Sequence, residues 1–294
     1  MLQLVEHQTG ILAGVAASQT TQPLTNREKA EAVNFLSRRP QQTFLMSGWI
    51  HDNGIENTLN RGRFYGSRNV RGQLEGVALI GHVTLFETTA EAALAAFADL
   101  AQGCATSRTL VGEQDQIRKF LNFYHSSAQS APRVVRRELM FEQKAKQQLE
   151  EAVPGLRLAT PSELELVVQV HAQMAFDENG ADPLKADPNG FRLRCARRIH
   201  QDRVWAIVED NRLIFKADVI SDLPEITYLE GVYVSPEKRG NGFGARCIRQ
   251  LTNILLHRSK SVCVLVSEQN SAAQACYKKA GYTMREYYET LFLQ

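Results

Sequence analysis

The chain has no C-x-x-C pair, no H-x-x-x-H and no H-E-x-x-H. Its five cysteines (Cys104, Cys195, Cys247, Cys263, Cys276) are odd in number and widely spread, and its seven histidines share no ligand spacing. A disulfide framework and a zinc site are therefore not expected, no metal is called for, and free thiols suit a reducing cytoplasm, the compartment we expect. No run approaches the ~18 continuous apolar residues of a membrane helix, so no membrane partner is expected. Gly10 to Ala17 is short and apolar, but Glu6 and His7 precede it and no Lys or Arg does, unlike a signal peptide. Charge of one sign is missing too. The formal net charge is +2, which leaves nucleic acid without a basic footprint.

What is present is an ordinary globular composition. The 294 residues are 44% hydrophobic and 22% charged, long for one core and comfortable for two. A Lys-, Gln- and Glu-rich stretch from Glu142 to Val153, broken by Pro154-Gly155, divides the chain into residues 1–150 and 151–294. The halves rhyme. Each runs helices, then strands, then helix, strand, helix, strand, and each ends in a similar shape, Glu138-Leu-Met-Phe141 and Glu289-Thr-Leu-Phe292.

In the first half, residues up to about Leu24 lack periodicity and read as a loosely ordered lead-in. Thr25-Asn-Arg-Glu28 is a capping box that opens a helix, and Phe44 to Ile50 reads as a second helix. Arg63 to Ser67, Gln73 to Ile80, Val83 to Glu87 and, further on, Val134 to Phe141 read as strands. In the second half, Thr160-Pro-Ser-Glu163 opens a helix with His171 and Met174 on its apolar side, where His171 reads as a core or lining residue. Asp177 to Asn189 carries no regular pattern. A helix over Phe191 to His200 and a hairpin turning at Asp210-Asn211 lead into the strand Glu225 to Val234. The pattern is α/β, with an α+β mixed sheet.

The organising stretch is Val232 to Gly244, V-Y-V-S-P-E-K-R-G-N-G-F-G. It begins as an apolar strand, turns at Ser235-Pro236 and crowds three glycines in front of an amphipathic helix carrying Cys247, Ile248, Leu251 and Leu255. Glycines let backbone approach a phosphate, and the free N–H groups of a helix start point at it. No Lys-Ser/Thr follows, so this is not a Walker loop, and the order Arg-x-x-Gly-x-Gly is not Gly-x-Gly-x-x-Gly. A second stretch follows the strand Val262 to Val266. In Asn270-Ser-Ala-Ala-Gln-Ala-Cys-Tyr-Lys-Lys-Ala-Gly-Tyr282, Asn270 is a good N-cap, and Ala273, Cys276, Tyr277 and Ala280 share one face.

Together these stretches resemble the GNAT superfamily of acyl-CoA-dependent N-acetyltransferases, over roughly Leu156 to Gln294. The whole chain is similar to bacterial GNAT proteins whose N-terminal half is a degenerate GNAT-like domain. Here Glu87-Thr-Thr-Ala90 stands, without glycine, where that half would need its cradle. The resemblance implies tandem GNAT-like domains, the second one catalytic. It implies that backbone amides of Arg239, Gly240, Asn241, Gly242, Phe243, Gly244 and Ala245 hold the pyrophosphate of acetyl-CoA. Main chain of Val232, Tyr233 and Val234 would line the pantetheine arm, and Asn270 and Ala273 would contact the cofactor. Lys279 or its neighbour Lys278 would meet the 3′-phosphate, and Tyr277 would be the general acid at the sulfur.

Amine attack on a thioester needs a proton acceptor, an oxyanion donor and a proton for the thiolate. Strand alternation puts Tyr228, Glu230, Val232 and Val234 on one face, with Glu230 as candidate base just before Gly231. A glycine inside a strand marks a bulge or close approach, and a splay there would make room for an acetyl group. The amide of Val232 or a near neighbour is the candidate oxyanion donor. Cys276 lacks a placed His–Asp partner, which favours direct transfer in a ternary complex. The expected acceptor is a primary amine of a small molecule or peptide, bound between the Asp177–Asn189 loop and the C-terminal strands with the N-terminal half walling the cleft. The rival reading is a non-catalytic acyl-CoA-binding sensor or scaffold. Acyl length, acceptor identity and oligomeric state are not written in the sequence.

Overall fold

The structure, a computed structural model, describes residues 20–124, 134–149 and 151–293. Much of the expected lead-in thus lies outside the described residues, but its end, Thr20–Pro23, forms an edge strand, β1, on β2. The first half continues with α1 (Lys29–Leu36), α2 (Pro40–Asn53), β2 (Gly62–Arg68), β3 (Leu74–Gly81), β4 (Val83–Thr88), α3 (Glu91–Gln102), β5 (Thr109–Glu113), α4 (Gln114–Tyr124) and β6 (Val134–Gln143). The second half holds β7 (Arg157–Leu158), α5 (Leu164–Asn179), α6 (Pro183–Ala186), α7 (Pro188–His200), β8 (Val204–Glu209), β9 (Arg212–Asp222) and β10 (Thr227–Val234). It ends with α8 (Phe243–Leu255), β11 (Val262–Ser267), α9 (Ser271–Lys279) and β12 (Thr283–Phe292).

Both expected capping boxes form. Thr25 and Thr160 each donate their backbone N–H to the glutamate three residues on, Glu28 and Glu163. Asp210 and Asn211 both take positive φ (48° and 57°), the conformation of a tight hairpin turn. The stretch from Asp177 to Asn189 departs from expectation, because α5 runs on through Asn179 and two helices start within it. Asp182 accepts from Leu184 N–H and Asp187 from Gly190 N–H, each just ahead of a proline at the first helical position. Two Asp-Pro pairs are helix-start chemistry, so the signal was present.

The strands form one mixed sheet of 12, in the order β1-β2-β3-β4-β5-β12-β6-β11-β10-β9-β8-β7. Each half contains a parallel pair, β4 with β5 and β10 with β11, with a helix between its strands. The last strands of the halves are exchanged. β6 lies beside β11, β12 lies beside β5, and β6 and β12 pair with each other. Neither half completes its sheet alone.

Helix α2 locks the exchange from one face. Phe44 is buried with Met140 of β6, Tyr228 of β10, Cys263 of β11 and Tyr288 of β12, its ring centred 4.5 Å from that of Tyr228. Tyr288 Oη donates to Gln41 O (2.5 Å) and Ser221 Oγ donates to Phe44 O (2.9 Å). Gly48 must stay bare, since a Cβ there would lie 2.5 Å from Ser221 Oγ. Arg203 clamps Asp52 through both carboxylate oxygens (2.6 and 2.7 Å), with each side chain about one-seventh exposed (13% and 14%). Removing one partner of so buried a pair costs roughly 3–5 kcal/mol.

Interleaved strands predict one cooperative unfolding transition. The only two tryptophans report the halves separately, Trp49 against the first core and Trp205 against the second. In single-tryptophan variants (Trp49→Phe and Trp205→Phe) the fluorescence midpoints in urea should coincide with each other and with far-UV circular dichroism. Separated midpoints would mean that the halves unfold independently.

Candidate functional site

Strand β10 builds the site by failing to stay regular. Glu230 is opposite Asp218 and Tyr233 opposite Lys216, so Gly231 and Val232 together face the single residue Ala217 on β9. This is a bulge, and Gly231 adopts φ +60° to make it, a conformation that glycine takes without strain. On its other edge, β10 pairs with β11 only from Thr227 to Leu229. Beyond Leu229 the two strands diverge. Ser235 N–H donates to Ile214 O at 2.9 Å, which sets the phase of the ladder: Tyr233 faces β9, while Val232 and Val234 turn their backbone groups to the open side. The expected bulge and splay are present, but the expected common face is not: the extra residue reverses the alternation, so Glu230 and Tyr233 share the face of Asp218 and Lys216, while Val232 and Val234 pack with Phe215 on the other.

A cavity of about 510 Å³ occupies the splay. Val232, Tyr233 and Val234 form one wall, and Ala273, Cys276 and Tyr277 of α9 the other. The glycine loop and the first turn of α8 close one end, with Arg239, Gly240, Gly242, Phe243, Gly244 and Ala245 at the lining. Gly240 and Gly242 have φ of +83° and +80°, and Gly242 is the N-cap of α8. A Cβ on Gly242 would lie 2.9 Å from Lys279 Nζ, and one on Gly244 would lie 3.0 Å from Val234 Cγ2. The bare backbone is thus a cradle that side chains would fill. Phe243 N–H is taken by Asn241 Oδ1 (3.1 Å), while no described residue accepts from the amides of Gly244 and Ala245. Those two N–H groups, at the positive end of a helix dipole, suit a diphosphate, and Lys279 adds charge at the rim. Arg239 is partly engaged, its Nε donating to Val234 O (2.8 Å). Asn241 departs from the rest, because its side chain caps the helix and does not line the cavity. Asn270 does both, capping α9 through Ala273 N–H (3.0 Å) while lining the cavity.

A second, more polar cavity of about 870 Å³ shares Met174, Val232, Asn270, Ala273 and Tyr277 with the first. Glu230 opens into this one. So does Glu178 from the end of α5, whereas Asp177 is turned to Gln173 (2.7 Å). The far wall is the exchanged strand β6, which contributes Arg136, Arg137 and Glu138. The first half therefore does wall the cleft, with β6 where the C-terminal strands were expected. Glu138 is a site residue that the sequence reading did not pick out. Thr290 Oγ1 donates to it at 3.0 Å. Burial raises its carboxyl above the ordinary value, and the charges of Glu230 and Glu178 add to that against the opposing pull of Thr290 and Arg136.

Tyr277 stands where the cavities join. Its ring packs between Phe141 (centroids 6.3 Å apart) and Tyr282 (5.6 Å, edge-on), and burial pushes its phenol far above the ordinary range. The hydroxyl therefore stays neutral, and its ring is packed on two sides. Burial also raises the Cys276 thiol, so a thiolate nucleophile is disfavoured there. His171 lines neither cavity and packs inside the fold, its Nδ1 3.4 Å from Asp218 Oδ2 and its ring against Phe191. Among the described residues no group of His, Cys, Asp and Glu is placed to hold a metal ion, and no helix is long and apolar enough to cross a membrane.

Known proteins share the fold that carries this site. Residues 215–292, from β9 through β12, match the family model described as "FR47-like protein". No curated protein matches the chain. Among solved structures, an acetyltransferase of the GNAT family from Colwellia psychrerythraea superposes with a TM-score of 0.58 at 12% identity, covering 94% of this chain and 100% of that one. A GCN5-related N-acetyltransferase from Sphaerobacter thermophilus gives 0.61 at 10% identity over 94% and 95%. A tandem GNAT protein from the clavulanic acid biosynthesis pathway gives 0.57 at 11% over 94% and 98%. The chain thus shares the fold of these GNAT-family structures along nearly its whole length, and its residues 215–292 match the FR47-like model.

Proposed function

We propose that the chain transfers an acetyl or other short acyl group from acetyl-CoA directly to a primary amine held in the second cavity. The observation that carries this reading is the junction of two cavities at Val232 and Tyr277, one ending in a bare amide cradle and the other lined by carboxylates. Residues 151–294 would be the acyltransferase unit and residues 1–150 a degenerate GNAT-like unit. In the latter α3 is capped at Ala90 with no glycine, and Glu87 is tied to Arg39 at 3.0 Å.

Bound acetyl-CoA would supply an activated thioester. The amides of Gly244 and Ala245 would hold its diphosphate, with Arg239 and Lys279 as counter-charges, and Val232 to Val234 would align its arm along β10. Val232 N–H, turned away from β9, is the donor for charge developing on the acyl oxygen. Tyr277 keeps a proton on Oη for the departing sulfur. Glu230 takes the proton of the attacking amine, directly or through water, and Glu138 and Glu178 complete a negative wall that favours a cationic acceptor.

Mass spectrometry after incubation with acetyl-CoA and a pooled amine and peptide library tests the reading, and absence of any acetylated product would remove it. Gly242→Val should weaken CoA binding at least ~10-fold in calorimetric titration, since it forces a side chain into φ +80° and onto Lys279. An unchanged dissociation constant would take the cradle out of the binding site. Tyr277→Phe should lower kcat by about 10²-fold with acetyl-CoA affinity retained, and unchanged turnover would end its acid role. The ionised form of Glu138 grows as pH rises through its raised pKa, so kcat/KM should climb above the ordinary carboxylate range. Glu138→Gln should abolish that limb, and an unaltered profile would detach Glu138 from acceptor recognition.

A further inference from the structure

Beneath the bulge lies an ion pair that the mechanism above does not use. Lys216 and Asp218 of β9 are 0% and 1% exposed by side chain, on the face covered by α5 and α7. Lys216 Nζ lies 2.8 Å from Asp218 Oδ1, close as charges although not aligned as a hydrogen bond. Its aligned bond goes elsewhere, to the carbonyl oxygen of Gly231 at 3.1 Å. Asp218 is held from the other side by Arg198 (3.2 Å) and His171 (3.4 Å). Burial alone would raise the Asp218 carboxyl, but Lys216 first, then His171 and Arg198, hold it below its ordinary value as a fixed anion.

Such a pair is a poor device for stability, because apolar replacements of similar volume are commonly neutral or better. Its placement points to another role. Among the described residues every peptide bond is trans, so the carbonyl of Gly231 and the N–H of Val232 point to opposite sides of one planar unit. The ammonium sits on the carbonyl end. The N–H end faces the junction of the two cavities. A cation on the carbonyl draws electron density across the amide and strengthens the N–H as a donor. The same contact fixes the bulge, and it excludes any residue but glycine at 231, where a Cβ would lie 2.9 Å from Lys216 Nζ and 3.1 Å from Asp218 Oδ2.

We infer that Lys216, anchored by Asp218, is a positioning residue that sets and polarises the Gly231–Val232 peptide so that Val232 N–H grips the acyl carbonyl oxygen. This rests on the acyl-CoA reading above and assigns the residues that make that reading's oxyanion donor effective.

Two measurements test it. In the native protein, the Val232 amide proton should move downfield in ¹⁵N-edited spectra on adding acetyl-CoA and move less on adding CoA. An equal response to the two would overturn the inference. In the paired variant Lys216→Met/Asp218→Leu, which removes one positive and one negative charge together and leaves the part-exposed Arg198 to solvent, CoA affinity should hold while the preference for acetyl-CoA over CoA falls roughly fivefold. The carbonyl stretch of bound [1-¹³C]acetyl-CoA should shift back toward its value in water. An unmoved band with CoA affinity intact would sink the inference alone, whereas failure of the native protein to bind CoA would sink the acyl-CoA reading together with it.

Discussion

One pairing holds the rest together: β6 hydrogen-bonds to β11 along one edge and to β12 along the other. It is the strand that joins the two halves of the sheet. Through it Phe141 reaches the ring of Tyr277, Met140 joins the buried cluster around Phe44, and Glu138 enters the carboxylate-lined cavity. The cavity's floor, its far wall and the packing behind its tyrosine all depend on a strand that belongs, by sequence, to the other half. A half whose corresponding helix starts without a glycine still furnishes part of the cleft.

Around that frame, the chemistry gathers at one irregular point on β10. The single extra residue opposite Ala217 turns Gly231's carbonyl to a buried lysine and Val232's amide to open space, and it leaves Glu230 beside the polar cavity. A regular strand would have none of these. The divergence of β10 from β11 then supplies the volume, and the glycines ahead of α8 supply the donors. Strand, loop and helix start each offer backbone groups, so few side chains are needed to hold a large anionic ligand.

Much of this was legible in the residues. Local chemistry was readable because its cause is local: the two capping boxes, the Asp210-Asn211 turn, Asn270 at the head of α9 and the bulge at Gly231 all follow from a few neighbouring side chains. Partnership between distant strands was not. Val134 to Phe141 reads as a strand, but a run of apolar residues does not say which edges it will join. Glu138 therefore registered only as the first letter of a repeated shape. Lys216 and Asp218 were hidden for a different reason. Alternating polar residues on a strand normally mark its wet face, and nothing nearby in sequence reveals the helices that cover this one. The Asp-Pro pairs ahead of α6 and α7 carried a signal that the surrounding polar residues outweighed.

The exchange of β6 and β12 also sets a timetable for the growing chain. Strand β5 reaches the solvent early, yet the neighbour that covers its outer edge is β12, the last strand of the sheet to be made. Until then the nascent molecule carries a half-finished sheet whose exposed edge invites pairing with the wrong partner. Completion of the sheet is thus postponed until β12 has been made, and β6 must wait, unpaired, for both of its flanks.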